Sequence, residues 1–242
     1  MMRRVIILAL FLVGGFGHAA EPLNILVYGA TGKIGTHVVD EALERGHRVT
    51  AVSRDPARIA AVHENLIAKQ GDLLDLDSIE SLVAGQDVVV ISVRGVIGEL
   101  IGANSLQRIA AGNVVEVIRR NSTPRPRVIH VGGAGTLEVR PGVLYAETIR
   151  KSFIPKSLEA EIEGQILALD YLRAVEDVDW TYVTPPKRFT DGDRTGEYRI
   201  GGDQVVKNKR GRSRISRADF AVAIVDEAES GDHIRKRFSV AY

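Results

Sequence analysis

Residues 24–54 constrain this chain more than any other stretch. Asn24-Ile25-Leu26-Val27-Tyr28 is followed by Gly29-Ala30-Thr31-Gly32-Lys33-Ile34-Gly35, then a helical pattern, then Arg48-Val49-Thr50-Ala51-Val52-Ser53-Arg54. The short apolar run Ile25 to Tyr28 reads as a strand buried on both faces of a parallel sheet. After the glycines, Ile34, Val38, Val39, Ala42 and Leu43 make one apolar stripe, with Asp40, Glu41, Glu44 and Arg45 on the polar side and Gly46 as a stop. A strand, a glycine turn and a helix in this order form a phosphate-binding unit. Gly29 permits the sharp turn, Gly32 the approach of backbone to a pyrophosphate, and Gly35 close packing of helix on strand. The helix N-terminus offers N–H groups and a partial positive charge. Gly29, Ala30, Thr31, Gly32, Lys33, Ile34 and Gly35 are therefore the expected cofactor cradle.

The end of the second strand indicates which dinucleotide. An acidic residue there would bind the ribose 2′-hydroxyl of NAD. Here Ser53 and Arg54 stand in its place. Arginine offers a planar fork of donors matched to a phosphate. NADP(H) is expected over NAD(H), with Lys33 as a second cation. Asp55 reads as the cap of a short helix with Pro56 at its first position.

Strands and helices go on alternating. Strands are predicted at Leu66–Lys69, Val88–Ser92, Val128–Val131 and Trp180–Val183, with a final edge strand at Phe238–Tyr242. Helices are predicted over Ser105–Arg120, Ser157–Ala174 and Ala218–Glu229. This is an α/β fold, a doubly wound parallel sheet with helices on both faces. Ligands in such sheets bind beyond the carboxyl ends of the strands. That rule adds Asp72, Leu73, Ser92, Val93, Arg94, Gly132 and Gly133 to the cofactor set. Asp72 suits an adenine amino group and Leu73 its ring. Helix capping is the competing role for Asp72 and Asp75, and a plain tight turn for Gly132-Gly133.

Composition removes several function classes. The chain has 242 residues and no cysteine, which excludes disulfides, thiol catalysis and cysteine metal sites. The six histidines show no ligand spacing, so no metal is expected. With 32 basic and 31 acidic residues, no general nucleic-acid footprint exists. The local run Lys207, Lys209, Arg210, Arg212, Arg214, Arg217 has no interleaved aromatics and reads as a solvated loop.

The first residues follow another logic. Met1-Met2-Arg3-Arg4 precedes an apolar stretch from Val5 to Phe16, and Gly17-His18-Ala19 ends it. Residues 1–19 read as a secretory signal peptide, leaving a single domain over 20–242. Its removal leaves 30 basic against 31 acidic residues. The mature protein is expected to be exported if that signal is used and cytoplasmic otherwise. No membrane span is expected after cleavage, and the protein is expected to be a monomer or homodimer.

Further segments carry a resemblance. They are G-A-T-G-K-I-G at 29–35, G-D-L-L-D at 71–75, V-G-G-A-G-T-L-E-V at 131–139, D-W-T-Y-V-T-P-P at 179–186, G-D-R-T-G-E-Y-R-I-G-G-D-Q at 192–204, and S-R-I-S-R-A-D-F-A-V-A-I-V-D-E at 213–227. Together they resemble the NAD(P)H-binding atypical short-chain dehydrogenases related to NmrA, NADH-flavin reductases and biliverdin reductase B. The resemblance implies a Rossmann domain whose C-terminal part, from about residue 184, helps form a substrate pocket. It implies hydride transfer to a small flavin-, quinone- or carbonyl-like acceptor. Non-enzymatic redox sensing is an alternative, and epimerase- or dehydratase-like chemistry a third.

Typical short-chain dehydrogenases use Tyr-x-x-x-Lys as acid and activator. Tyr145 falls where the tyrosine is expected, but Ile149 stands four residues on. Gly132-Gly133 replaces the usual serine. Tyr145, His130 and Lys156 are the remaining catalytic candidates.

Overall fold

The computed structural model describes residues 21–94, 102–121, 123–149 and 154–242; the expected signal peptide lies outside them. The chain runs through β1 (Asn24–Tyr28), α1 (Gly35–Glu44), β2 (Arg48–Ser53), β3 (Leu66–Gln70), α2 (Leu76–Val83), β4 (Val88–Ile91), α3 (Leu106–Asn121) and β5 (Arg127–Val131). A short hairpin, β6 (Glu138–Arg140) and β7 (Val143–Leu144), leads into α4 (Tyr145–Thr148) and α5 (Lys156–Arg173). Then come β8 (Trp180–Thr184), β9 (Arg188–Thr190), β10 (Arg199–Gly201), β11 (Arg214–Ser216), α6 (Arg217–Ser230) and β12 (Lys236–Ala241).

Eight strands form one sheet in the order β10-β12-β8-β5-β4-β1-β2-β3. Every pairing is parallel except that of β10 with β12. Strand residues alternate between two cores, as period-two geometry requires. Leu26 and Tyr28 point into the layer holding Ile79, Val115, Leu169 and Leu172 of α2, α3 and α5. Ile25 and Val27 point into the opposite layer with Val38 of α1 and Phe220 and Ile224 of α6. The strand order reverses between β4 and β1, and a ligand crevice is expected at such a switch point.

One expectation needs correcting. The final strand, expected at an edge, lies inside the sheet between β8 and β10. The edge is Arg199–Gly201, which pairs antiparallel with Ser239–Ala241. A three-residue strand carries no readable periodicity, so its partner looked unpaired in sequence. The opposite edge is β3, where Ile67 is 55% exposed.

The helix expected over Ser157–Ala174 is present as α5, and its apolar residues face two ways. Leu169 and Leu172 are buried in the core, whereas Leu158 is 40% exposed. Ile162 and Ile166 line a separate cavity of about 360 Å³ against Leu144 and Ala146, between α4 and α5.

Candidate functional site

The glycine turn sits at the switch point, with each glycine constrained differently. Gly29 has φ +77°, and a side chain there would be driven into the carbonyl of Ser92 at the end of β4. Gly35 presses so closely on the Gly29 carbonyl that no Cβ fits. Gly32 has more room: a Cβ would lie 3.1 Å from the Gly29 oxygen and 3.8 Å from the Ser92 oxygen. Gly29 and Gly35 thus satisfy the protein's own packing, while Gly32, with more room, lines the cleft that Gly29 also borders. The Thr36 hydroxyl lies 2.9 Å from the Gly32 carbonyl and 3.1 Å from that of Ala30, tying the loop to α1. Among the described residues no side chain caps the α1 N-terminus, and its first turn holds no acid. Its dipole is free to act on an anion.

A cleft of about 500 Å³ runs over this turn. Its walls bring together Gly29, Thr31 and Gly32, Ser53 and Arg54, Asp72 and Leu73, and Ser92, Val93 and Arg94. Ala30, Lys33, Ile34 and Gly35 belong to the same turn but do not line the cleft. Tyr28 is on the wall too, with a buried hydroxyl that has no hydrogen-bond partner among the described residues; burial pushes its phenol pKa up.

At the β2 end, Asp55 caps a short 3₁₀ turn, Pro56–Arg58, by accepting from Ala57 N–H at 3.2 Å. That turn carries Arg58 back into the cleft beside Arg54. Sequence reasoning missed Arg58, although the Asp55-Pro56 cap it did read fixes the turn that places it. The Ser53 hydroxyl accepts from Asp55 N–H at 3.2 Å and keeps its own proton available.

Asp72 is divided between roles. Its Oδ1 accepts from Leu74 N–H at 2.9 Å, closing a local turn, and Asn113 holds the Leu73 carbonyl at 2.8 Å. Asp75 is a helix cap, accepting from Asp77 N–H at 3.0 Å at the start of α2. Leu73 is only 5% exposed, which leaves a small apolar face for a ring. Arg94 reaches from the end of β4 to Glu161 of α5 at 3.3 Å.

Gly132 and Gly133 lie outside this cleft, at the end of β5. A Cβ on Gly132 would collide with the Tyr182 ring, and one on Gly133 with the Gln165 side chain. Tyr182 donates to the Gln165 carbonyl at 3.0 Å. The glycine pair therefore lets β8 and α5 close over the end of β5.

The three catalytic candidates are scattered. His130 is fully buried, stacked on Tyr182 at 5.2 Å, with Nε2 3.4 Å from the Gln107 carbonyl. Burial holds its pKa down to about 4, so it is neutral and walled off from any ligand. Lys156 is exposed at the first residue of α5. Tyr145 opens α4 and donates its backbone N–H to Leu137 O at 2.6 Å, which fixes it beyond the carboxyl end of β5. The ammonium of Lys187 stands over its ring, 3.9 Å from the centroid. Lys187 was not among the expected residues, and its long separation from Tyr145 in sequence hid the pair. Among the described residues, no cluster of three or more His, Asp or Glu could hold a metal.

Comparison with known proteins agrees with this geometry. The model of a family described as NAD(P)H-binding matches residues 29–230. The chain is 31% identical over 222 residues to the "uncharacterized protein YwnB" of Bacillus subtilis, covering 90% of this chain and 98% of that one. The crystal structure of a "putative exported protein" from Burkholderia pseudomallei is 38% identical with a TM-score of 0.76, over 91% of this chain and 100% of that one. A "putative NADH-flavin reductase" from Streptococcus pneumoniae is 30% identical with a TM-score of 0.73, over 90% and 99% of the two chains.

Proposed function

From the premise that this chain belongs to the NAD(P)H-binding family of Rossmann-fold proteins, we propose that it is an NADPH-dependent reductase of a small flavin-, quinone- or carbonyl-like acceptor. The observation that carries the reading is the cleft at the β1/β4 switch point, with Gly29, Thr31 and Gly32 of the turn that leads into α1 on its wall and Ser53, Arg54 and Arg58 at one end. The cofactor's nicotinamide would supply the hydride. The chain's own residues bind and orient: the Gly32 backbone and the α1 N-terminus hold the pyrophosphate, and Asp72 and Leu73 take the adenine. Ser53, Arg54 and Arg58 take a ribose phosphate, two guanidinium forks facing one dianion. Asp55 lines the same end, but its Oδ1 already accepts from Ala57 N–H.

Titration with NADPH and NADH, following nicotinamide fluorescence, tests the cofactor assignment. Arg54→Ala and Arg58→Ala should each weaken NADPH by about 10-fold or more, the worth of one charge-assisted contact, and leave NADH nearly unchanged. Equal loss for both cofactors would remove the phosphate assignment. Turnover is tested by NADPH oxidation across flavins, quinones and carbonyls.

A second reading is a dinucleotide-binding redox sensor without turnover. It is favoured by Ile149 in place of the usual lysine and by the burial of His130. It predicts tight binding with no acceptor reduced.

We further propose export of the mature chain. The pattern of residues 1–19 supports this, as does the likeness to the Burkholderia protein. Intact mass of the protein recovered from outside the cytoplasm should begin at Ala20; an unprocessed cytoplasmic chain would overturn it.

A further inference from the structure

We propose that Lys187, held over Tyr145 and accompanied by Lys207, is an anion-binding subsite that makes the protein select planar acceptors bearing a phosphate, sulfonate or carboxylate. The inference rests on the reductase reading and names its acceptor class.

Placement comes first. The cleft covers the carboxyl ends of β3, β2, β1 and β4. A dinucleotide laid along it from Arg54 to Ser92 continues toward the next strand ends, those of β5 and β8. Tyr145 is fixed beyond the end of β5 through Leu137. Lys187 follows β8 directly after Pro185 and Pro186, and its N–H donates to the Ser213 hydroxyl at 3.3 Å. Lys207 arrives on a third segment. Glu138 O accepts from Val205 N–H at 3.0 Å, which pins residues 203–205 beside the β6–β7 hairpin that ends at Tyr145. Three segments distant in sequence thus bring the Lys187 ammonium over the Tyr145 ring beyond the ends of β5 and β8, with the charge of Lys207 near enough to act on it.

Electrostatics then assigns the ligand. Neither lysine has a carboxylate partner among the described residues. Lys187 is an exposed residue, and partial desolvation together with the charge of Lys207 holds its pKa below the ordinary value. An anion would relieve both: it neutralises the paired charges and restores the hydrogen bonds that desolvation removes. The Tyr145 ring fixes the ammonium from one side, leaving its N–H donors for a ligand. Of the basic run expected as a solvated loop, Arg214 lies in β11 and Arg217 begins α6 and pairs with Asp191, while Lys207 serves the subsite.

The test compares matched acceptors that differ only in charge: flavin mononucleotide against riboflavin, and a naphthoquinone sulfonate against its parent. Each is assayed for NADPH oxidation with the wild-type protein, Lys187→Ala, Lys187→Arg and Tyr145→Leu. The expected wild-type preference in kcat/KM for the anionic member is about 10-fold in both pairs. It should collapse toward unity in Lys187→Ala, return in Lys187→Arg and shrink in Tyr145→Leu, with unchanged melting temperatures. Preference for the phosphate but not the sulfonate would mean recognition of the flavin tail, and would overturn the general anion subsite. So would equal handling of both members, or a preference that survives Lys187→Ala. If no acceptor is reduced, the reductase reading fails by itself. The same flavin pair, read as dissociation constants by flavin fluorescence quenching on NADP-loaded protein, then decides the subsite.

Discussion

Thr195 gives Asp219 two hydrogen bonds, from its backbone N–H at 2.7 Å and from its hydroxyl at 2.8 Å. The same carboxylate accepts from Gly196 N–H at 2.8 Å and from the Tyr242 hydroxyl at 2.5 Å. Asp219 lies in the first turn of α6 and is fully buried. One side chain thereby joins α6, the 193–196 loop and the residue after β12. Arg194 extends the join, bonding Glu41 of α1 at 2.6 and 2.7 Å.

Asp219→Ala should therefore cost roughly 3 kcal/mol or more, since it strands several buried donors at once. Denaturant unfolding would read it. Burial pushes the Asp219 carboxyl up, but bonds from Tyr242, Gly196 and Thr195 outweigh it and hold the pKa below the ordinary value. The group therefore adds stability above the usual carboxylate range. That part is lost as pH falls through the depressed value, because the unfolded chain binds the proton first. In Asp219→Asn the acid-side fall should be shallower.

Two glycines of the turn should respond differently to alanine. Gly35→Ala drives a methyl into the Gly29 carbonyl, backbone against backbone, and should cost about 2–3 kcal/mol of stability. Gly32→Ala meets its nearest atom at 3.1 Å. It should lower the melting temperature much less than Gly35→Ala does, while lowering dinucleotide affinity severalfold. Calorimetric melting beside a binding titration separates the two.

His130 should make stability depend on pH in one window only. Its folded value is about 4 against an ordinary 6.5. The unfolded chain takes up the proton as pH drops below 6.5, and the folded chain does not until about 4. Stability should decline across that interval and be indifferent to His130 above it. His130→Gln should flatten the decline in urea unfolding run at stepped pH. An NMR titration of the imidazole should show no inflection near neutrality.

How far the sequence revealed this depended on the range of the determining contacts. The β1–turn–α1–β2 unit was legible because a buried run, spaced glycines and an amphipathic helix are local patterns. The Asp55-Pro56 cap was legible for the same reason. Arg58 was missed because its entry into the cleft needs the fold of that capped turn. The pairing of Arg199–Gly201 with β12 was invisible because three residues show no period. The demand for glycine at 132 comes from the Tyr182 ring, fifty residues away. His130 was a candidate in sequence and a packing residue in space, since only the fold reveals Tyr182 and α3 around it.

The two sides of the sheet carry unequal risks of open-ended growth. A free strand offers its unpaired amides to any extended segment of another molecule. At β10 that template has three residues, and its Arg199 guanidinium is already engaged by the Tyr242 carbonyl. At β3 it has five, and Ile67 stands uncovered beside the single positive charge of Lys69. Repulsion between such charges keeps like edges apart. Replacing Lys69 with threonine should bring on concentration-dependent light scattering long before the fold itself weakens.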